Sequence, residues 1–430
     1  MKIGFITLGC KVNQYETDIM KQELTENGHL IVSDHEEADL FIVNTCTVTN
    51  EADRKSRQMI RRLKRINENS LVIATGCLAQ VDSNQLLDIA DLVIDNGKKD
   101  SIVNIVNNFV NGYFKDKFEK AYWLNRTLNK ELKHSDDRTR AFIMIEEGCD
   151  RCCTYCKIFH ARGTVINSKP MDTILREINH IKETGIKEVV LTGINLGKYE
   201  YNGNNLRDVL EEIKNNIDGV RIRLSSIDPD HLNEKMYEVL SDKKFCRHLH
   251  LSIQSGSDNV LKNMNRIYTA QRVRDVAENL RNIDDNFSIT TDIIVGFPGE
   301  TESDFINTCD LIKTIEPLKV HIFKYSPKSN TIAAKMQNQI TFSVKKERSK
   351  ILNEITNKAS SDFRNRFIGK NTEVLIETVE GSVSGHDQYY LNHIIMNSED
   401  EIIGEMKRVI IKEIDINEND KVVSYIDKLS

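Results

Sequence analysis

Short apolar runs alternate with amphipathic segments of helical length over the first hundred residues of the chain. Each run is only four to six residues long and is bounded by polar positions, as buried parallel strands are. The expected strands lie at 3–8, 39–43, 71–74 and 91–94. This alternation predicts an open parallel α/β sheet at the N-terminus.

Six further apolar runs follow between residues 141 and 325, again separated by segments of helical period. The predicted strands lie at 141–146, 188–192, 220–225, 249–253, 288–295 and 320–325. Six successive βα units predict a parallel barrel or partial barrel, whose chemistry would lie at the carboxyl ends of the strands.

The pattern changes to alternation and turns after an amphipathic helix expected over 343–367. Short strands are expected at 372–377, 389–391, 401–404 and 407–412. They predict a small all-β barrel. Residues 111–140 carry many charges without a clear period, and we interpret them as a linker. The predicted domains are 1–134, 135–367 and 368–430.

Composition and targeting signals narrow the class of protein. The 430 residues are 39% hydrophobic and 29% charged with a net charge of −6, which is typical of a globular protein and not of a disordered one. No apolar run approaches the roughly 18 residues that span a bilayer, and the N-terminus lacks a signal-peptide pattern. We therefore expect a cytoplasmic protein without a membrane partner.

Three of the nine cysteines, Cys10, Cys46 and Cys77, each follow a predicted N-terminal strand. Because the carboxyl ends of parallel strands line one crevice, three separate loops would bring these thiols together. We interpret them as a metal-ligand set. A redox or structural site is the alternative.

A second trio, Cys149, Cys153 and Cys156, has the spacing C-x3-C-x2-C directly after the first barrel strand. Three thiolates from one loop can bind three irons of a [4Fe-4S] cluster and leave the fourth iron open to a small molecule. The alternative is zinc, which usually takes four ligands in C-x2-C pairs, and no second pair lies nearby. The remaining cysteines are expected not to bind metal: Cys152, Cys246 and Cys309.

The C-x3-C-x2-C loop resembles the signature of the radical SAM superfamily. Together with the motifs at 8–16, 44–49, 75–77 and 148–163, the chain resembles the tRNA and ribosomal-protein methylthiotransferases over nearly its whole length. The stretch Leu-Gly-Cys-Lys-Val-Asn-Gln-Tyr-Glu at 8–16 is similar to the branch that acts on N6-threonylcarbamoyladenosine. The chain departs from the family pattern at Phe159 and Lys328.

The resemblance implies an N-terminal methylthiotransferase domain, a central radical SAM partial (βα)6 barrel and a C-terminal TRAM barrel. It implies two [4Fe-4S] clusters, one on each cysteine trio, with Cys149, Cys153 and Cys156 as the catalytic ligands. It also implies S-adenosylmethionine as a cofactor, bound by segments at the strand ends. The expected contacts are Gly193, Asn195, Gln254, Arg266, Asp292 and Gly296.

The activity implied by the resemblance is methylthiolation of carbon 2 of N6-threonylcarbamoyladenosine beside the tRNA anticodon. The implied partners are the tRNA anticodon loop and an electron donor protein. Basic residues at 54–65 and 345–350 would either contact phosphates or form solvated helix faces, and the aromatic segment 385–390 would either contact unpaired bases or be core. Alternatives are methylthiolation of isopentenyladenosine or of a ribosomal protein, and a non-catalytic iron-sulfur scaffold.

Overall fold

The computed structural model describes residues 1–33, 38–67, 69–113, 118–119, 128–134, 139–379, 382–396, 402–415 and 420–427. Three β structures follow one another along the chain: an open sheet, a curved pair of sheets and a closed barrel. Among the described residues, no helix combines the length and the apolar character needed to cross a bilayer.

The open sheet is parallel throughout, in the order β2-β1-β3-β4-β5-β6. Its elements are β1 Lys2–Thr7, α1 Lys11–Glu26, β2 Leu30–Val32, β3 Leu40–Thr45, α2 Asn50–Ile66, β4 Leu71–Gly76, α3 Cys77–Val81, β5 Leu92–Ile94, α4 Ile102–Val110 and β6 Phe118–Glu119. The predicted parallel α/β architecture is confirmed. The strands β2 and β6 were not predicted, because they are only three and two residues long.

The central region has the predicted six parallel strands with helices on the outside. Its elements are β7 Arg140–Glu147, α5 Ile158–Arg162, β8 Asn167–Ser168, α6 Met171–Glu183, β9 Glu188–Gly193, β10 Glu200–Tyr201, β11 Asn204–Asn205, α7 Leu206–Asn216, β12 Arg221–Leu224, β13 Ser226–Ile227, α8 Glu234–Leu240, β14 His248–Gln254, α9 Asp258–Asn263, α10 Ala270–Ile283, β15 Ser288–Val295, α11 Glu302–Ile315, β16 Lys319–Lys324, α12 Ile332–Lys335 and α13 Phe342–Asn365.

One sheet contains β12-β9-β7 and the next contains β13-β14-β15-β16. Only Ser225 separates β12 from β13, so the two sheets continue each other around a partial barrel. Successive side chains of a strand point to opposite faces. Leu249, Leu251 and Ile289 therefore pack outward into the main hydrophobic core, whereas His250 and Asp292 face the lumen.

The C-terminal strands close into a five-stranded barrel in the order β17-β18-β19-β21-β20, as predicted for a small all-β domain. The strands are β17 Asn371–Thr378, β18 Val383–Asp387, β19 Asn392–Met396, β20 Met406–Ile414 and β21 Lys421–Ile426. The predicted strand at 389–391 is wrong, because these residues form the turn between β18 and β19, with Tyr390 at φ +66°. Residues 402–404 also form a turn, and residue 401 lies outside the described residues.

The turn at 389–391 docks against the amino ends of the barrel strands. The Tyr390 ring stacks between His248 and His386, with centroid distances of 4.6 and 4.7 Å. The Arg223 guanidinium lies 5.1 Å from the centre of the same ring. The aromatic segment 385–390 is therefore part of the contact between the two barrels, which lies at the amino ends of the strands of the central barrel.

The segment interpreted as a linker lies in part outside the described residues. Its described end, residues 128–134, packs between the open sheet and the barrel, with Leu128 and Leu132 in the barrel core. The Leu132 N–H donates to the Glu177 carboxylate at 2.8 Å. The division into domains at 1–134, 135–367 and 368–430 stays a prediction.

Candidate active site

The three N-terminal cysteines lie at one edge of the open sheet, after three neighbouring strands. Cys10 precedes α1, Cys46 follows β3 directly, and Cys77 is the first residue of α3. Gly9 has φ +104°, and a Cβ on it would lie 2.9 Å from the Cys46 sulfur. This close approach requires glycine and holds the loop of Cys10 against Cys46.

Burial and mutual proximity disfavour charge on the N-terminal thiols. Burial, together with the neighbouring Cys77 and Cys10, raises the pKa of Cys46 to about 12. Burial likewise raises the pKa of Cys77, while the nearby Arg162 guanidinium opposes that rise. Since metal ligands must be thiolates, a bound cationic group has to supply the compensating charge.

The second trio lies on the loop that follows β7. Burial raises the pKa of both Cys149 and Cys153 to about 11. The Cys156 sulfur accepts from the Ile158 N–H at 3.3 Å, and the Asn195 amide lies 3.8 Å from the Cys149 sulfur. These polar groups fit thiolate ligands, whose negative charge accepts hydrogen bonds.

The spacing within each trio argues against a single metal ion. Three thiolates around one zinc, each about 2.3 Å from the metal, would lie about 3.8 Å apart. Among the described residues, the groups of potential ligands whose atoms lie within 4.8 Å of one another include neither cysteine trio. Two sets of three thiolates, each near enough to interact electrostatically, fit an iron-sulfur cluster with one open iron instead.

Arg162, at the end of the cysteine loop, connects the two trios. Its side chain is fully buried and donates to Glu16 at 2.5 Å, to Glu147 at 2.9 Å and to Asn13 at 2.6 Å. Its positive charge also lies near enough to Cys77 to oppose the rise in the pKa of that thiol. One guanidinium therefore links the barrel loop to the N-terminal crevice.

Four of the predicted cofactor contacts lie at the carboxyl ends of the barrel strands, on the same side as the cysteine loop. Gly193 ends β9, Asn195 follows it, Gln254 ends β14, and Gly296 follows β15. The Gly296 N–H donates to the Glu300 carboxylate at 2.7 Å. The structure thus brings these residues to one rim, and their contact with a cofactor stays a prediction.

Arg266 and Asp292 are placed differently. The buried Arg266 guanidinium pairs with Asp228 at 2.7 Å and donates to the Tyr155 hydroxyl at 2.8 Å, so its donors support the cysteine loop. Asp292 lies in the middle of β15, below the rim, where His250 approaches it to 3.3 Å. Their predicted contacts with the cofactor stay predictions.

Several residues of the site were not found from the sequence. Glu146 is buried beneath the rim, where burial raises its pKa to about 8, and its Oε1 lacks a hydrogen-bond partner among the described residues. Lys328 pairs with Asp53 at 2.7 Å and thereby fastens the loop after β16 to α2. The sequence pattern predicts the strand or loop on which each residue lies. It does not predict an ion pair between residues that are 275 positions apart.

The two predicted basic surfaces differ in exposure. On α2, the side chains of Lys55, Arg61, Arg62 and Arg65 are exposed, as phosphate contacts require. On α13, the prediction is wrong for two residues, because Lys345 donates to the Tyr325 carbonyl and Arg348 pairs with Glu300. Lys346 and Lys350 remain exposed on that helix.

Comparison with known proteins relates this geometry to described families. Residues 2–95 match a family described as "Uncharacterized protein family UPF0004", and residues 143–312 match the radical SAM superfamily. The chain is 40% identical to the threonylcarbamoyladenosine tRNA methylthiotransferase MtaB of Thermotoga maritima, over 94% of this chain and 93% of that protein. It is 34% identical to the MtaB of Bacillus subtilis, over 95% and 93% of the two chains.

A relative named for a different substrate has a lower sequence identity. The tRNA-2-methylthio-N(6)-dimethylallyladenosine synthase of Thermodesulfovibrio yellowstonii is 33% identical over 94% of each chain. Among solved structures, the radical S-adenosylmethionine methyltransferase TsrM of Kitasatospora setae shares the fold, with a TM-score of 0.59 and 13% identity over 77% of this chain and 74% of that one. By sequence and by fold, the chain belongs to the radical SAM methylthiotransferase family.

Proposed function

We propose that this protein transfers a methylthio group to carbon 2 of N6-threonylcarbamoyladenosine next to the anticodon of tRNA. The observation that carries the proposal is the pairing of two cysteine trios, one at the crevice of the open sheet and one at the barrel rim, through Arg162. The relatives named for the threonylcarbamoyl substrate reach 40% identity, against 33% for the dimethylallyl relative. This difference supports the threonylcarbamoyl branch.

S-adenosylmethionine and [4Fe-4S] clusters are the cofactors that this family implies. When bound, they supply a radical that activates an unreactive carbon and a site that carries sulfur. We propose that Cys149, Cys153 and Cys156 ligate one cluster and that Cys10, Cys46 and Cys77 ligate the other.

The chain's own residues would orient these groups and exclude water. Asn195 would donate to the Cys149 thiolate, and Arg162 would offset the negative charge of the Cys77 thiolate from a fully buried position. Arg266, held by Asp228 and Tyr155, would fix the loop that carries Cys153 and Cys156. At the rim, the Gln254 amide would hydrogen bond to the cofactor. Gly193 and Gly296 have no side chain, which lets Glu146 and Lys345 pack against the backbone there.

The RNA would be held beside this site by electrostatics. The exposed basic face of α2 begins four residues after Cys46, so it borders the N-terminal crevice. Lysine and arginine side chains there would neutralise phosphates, while an unpaired anticodon-loop base can be splayed out without opening a duplex. An electron donor protein is a further partner of the proposed reaction, and the cytoplasm, where tRNA is modified, is its proposed location.

A direct competition tests the proposal. Anaerobically reconstituted protein is offered tRNA carrying threonylcarbamoyladenosine, tRNA carrying isopentenyladenosine and a ribosomal protein, and the digested products are weighed by mass spectrometry. Methylthiolation of the threonylcarbamoyl nucleoside is the expected result. Transfer to the isopentenyl nucleoside alone, or to the ribosomal protein alone, would contradict the substrate assignment.

A further inference from the structure

The lumen of the partial barrel contains a polar cluster below the rim. His250, Asp292 and His321, on β14, β15 and β16, bring their ligand atoms within 4.8 Å of one another. Asp292 and His321 are direct neighbours in the strand register, and the His250 and His321 rings lie 6.0 Å apart. None of the three is fully buried, so the cluster lines open space and not a packed core.

Of the three side chains in this cluster, His321 makes no hydrogen bond within the described part of the chain. Thr290 bonds to both His248 and His250 at 2.9 Å, and His250 in turn approaches Asp292 at 3.3 Å. Within the described part of the chain, the His321 ring has no hydrogen-bond partner. His321 is also exposed, and it can therefore donate to a ligand in the lumen.

Lys11 adds a cation from the N-terminal side. It directly follows Cys10 and begins α1, which packs against β7. Its ammonium is near enough to His248, His321 and Arg223 to interact with them electrostatically. In the part of the chain that the structure describes, the half-buried Lys11 has neither a hydrogen-bond nor an ion-pair partner.

The floor of the lumen is positively charged as well. Arg140, Arg221 and Arg223 all approach the single Glu188 carboxylate, and Arg140 also pairs with Glu377. Three guanidinium groups thus meet two carboxylates. A floor with an excess of positive charge and a free ammonium above it favour an anionic ligand.

We propose that Lys11 and His321 form a subsite that binds the carboxylate of the substrate's N6 substituent in the barrel lumen. This inference rests on the proposed function and deepens it. The threonylcarbamoyl group carries a carboxylate and a hydroxyl. Lys11 and His321 would donate to the carboxylate, and Asp292 would accept from the hydroxyl. An isopentenyl group has no polar atom, so its burial there would leave Lys11 and His321 without partners, which costs binding free energy.

A neighbouring aromatic side chain suits the base of the same nucleoside. Phe323 lies two residues after His321 and therefore on the same face of β16, and 41% of its surface is exposed. An exposed aromatic ring can stack on an unpaired base. The base and its polar substituent would then occupy successive positions along one strand.

The test compares an acid with its ester. Anticodon stem-loop RNAs carry threonylcarbamoyladenosine, its carboxylate methyl ester, or isopentenyladenosine, and their affinities for the reconstituted holoenzyme are measured by titration. The wild-type protein is expected to prefer the acid over the ester by about tenfold, or about 1.4 kcal/mol. Lys11→Met and His321→Leu are each expected to reduce that preference to within twofold, whereas Lys11→Arg keeps it.

Controls separate a subsite from a damaged cluster and from a wrong function. Lys214→Met, on the outer helix α7, should leave the preference unchanged. Iron content is measured for each variant. If Lys11→Met loses iron, the acid preference of His321→Leu is the test of the subsite, because His321 lies outside both cysteine loops. An unchanged acid preference in His321→Leu would overturn the subsite. Methylthiolation only of isopentenyl RNA or of a ribosomal protein would instead overturn the proposed function.

Discussion

Arg162 and Glu16 form an ion pair between the barrel and the open sheet, with 2.5 Å between the guanidinium Nη1 and the carboxylate Oε1 and almost no exposure to solvent. Glu16 also binds Lys99 at 2.5 Å, so one carboxylate receives two buried cations. Removing one partner of such a pair leaves an uncompensated charge in the interior, which costs about 3–5 kcal/mol. The same ion pair that stabilises the folded protein therefore also fixes the position of one cysteine trio relative to the other.

Arg162→Leu is expected to destabilise the protein by about 3 kcal/mol and to lower the iron bound at the N-terminal trio, because the Cys77 thiolate would lose the cation that most favours its charged form. Urea denaturation and iron analysis measure the two effects. Arg176→Leu, on the exposed face of α6, is the matched control and should change neither. Unaltered stability and iron content in Arg162→Leu would refute the connecting role.

Reconstituted protein is expected to contain roughly eight irons per chain, because each trio can hold a four-iron cluster. Changing Cys149, Cys153 and Cys156 to alanine should leave about four, and so should changing Cys10, Cys46 and Cys77. Cys309→Ala, a buried cysteine on α11, serves as the control and should retain all of the iron. A wild-type content near four would exclude two clusters.

The two trios are expected to differ in the step that they support. The triple alanine variant of the N-terminal trio should still form 5′-deoxyadenosine, because the barrel trio is intact, but should transfer no methylthio group. Chromatography of the small products and mass spectrometry of the RNA measure these two outputs. Methylthiolation at the wild-type rate in that variant would show that the N-terminal trio does not carry sulfur.

Glu146 predicts a pH dependence of stability. Burial raises its pKa from 4.5 to about 8, so the folded state favours the neutral acid, while the unfolded state ionises first as pH rises. The stability of the metal-free protein should therefore fall, relative to Glu146→Gln, between about pH 4.5 and pH 8, and level off above that range. Denaturant titrations of both proteins across pH measure the difference, and parallel curves would contradict the raised pKa.

The exposed basic face of α2 is expected to contribute to RNA affinity. Replacing Arg61, Arg62 and Arg65 by alanine should weaken tRNA binding and make it less dependent on salt, by a slope of roughly 0.7–0.9 for each phosphate that is no longer neutralised. Lys313→Ala, which removes an exposed cation from α11, provides the control. Equal salt slopes for the triple variant and the wild type would place the RNA elsewhere.

Most of the fold could be predicted from the strand pattern. A strand that is buried on both faces is a continuous apolar run, which can be identified without knowing the strands that pair with it. Ser288–Val295 matches its predicted range to the residue, since three of its four outward positions, Ile289, Ile293 and Val295, are apolar. Tyr389 and Tyr390 have the residue types of a strand, but their rings pack against the neighbouring barrel, a contact that strand propensity does not encode.

The positions of the candidate site residues in the fold could be predicted where a motif fixes the local geometry. The cysteine positions at strand ends follow from the topology, whereas Arg162, Lys328 and Glu146 depend on partners far along the chain. Lys345 and Arg348 look like solvated basic residues in the sequence, yet Arg348 is buried because Glu300 compensates its charge. Charge alone does not distinguish a surface cation from one in a buried ion pair.

Tyr390 stands between His248 and His386 at the amino ends of the barrel strands. A molecule that leaves through that end would have to displace this ring, so we expect small molecules to enter and leave through the opening at the rim. A large nucleic acid lying across that opening would hold back any small product formed beneath it. The nucleic acid would then dissociate before the small product. The rate of turnover would therefore depend on the dissociation rate of the nucleic acid.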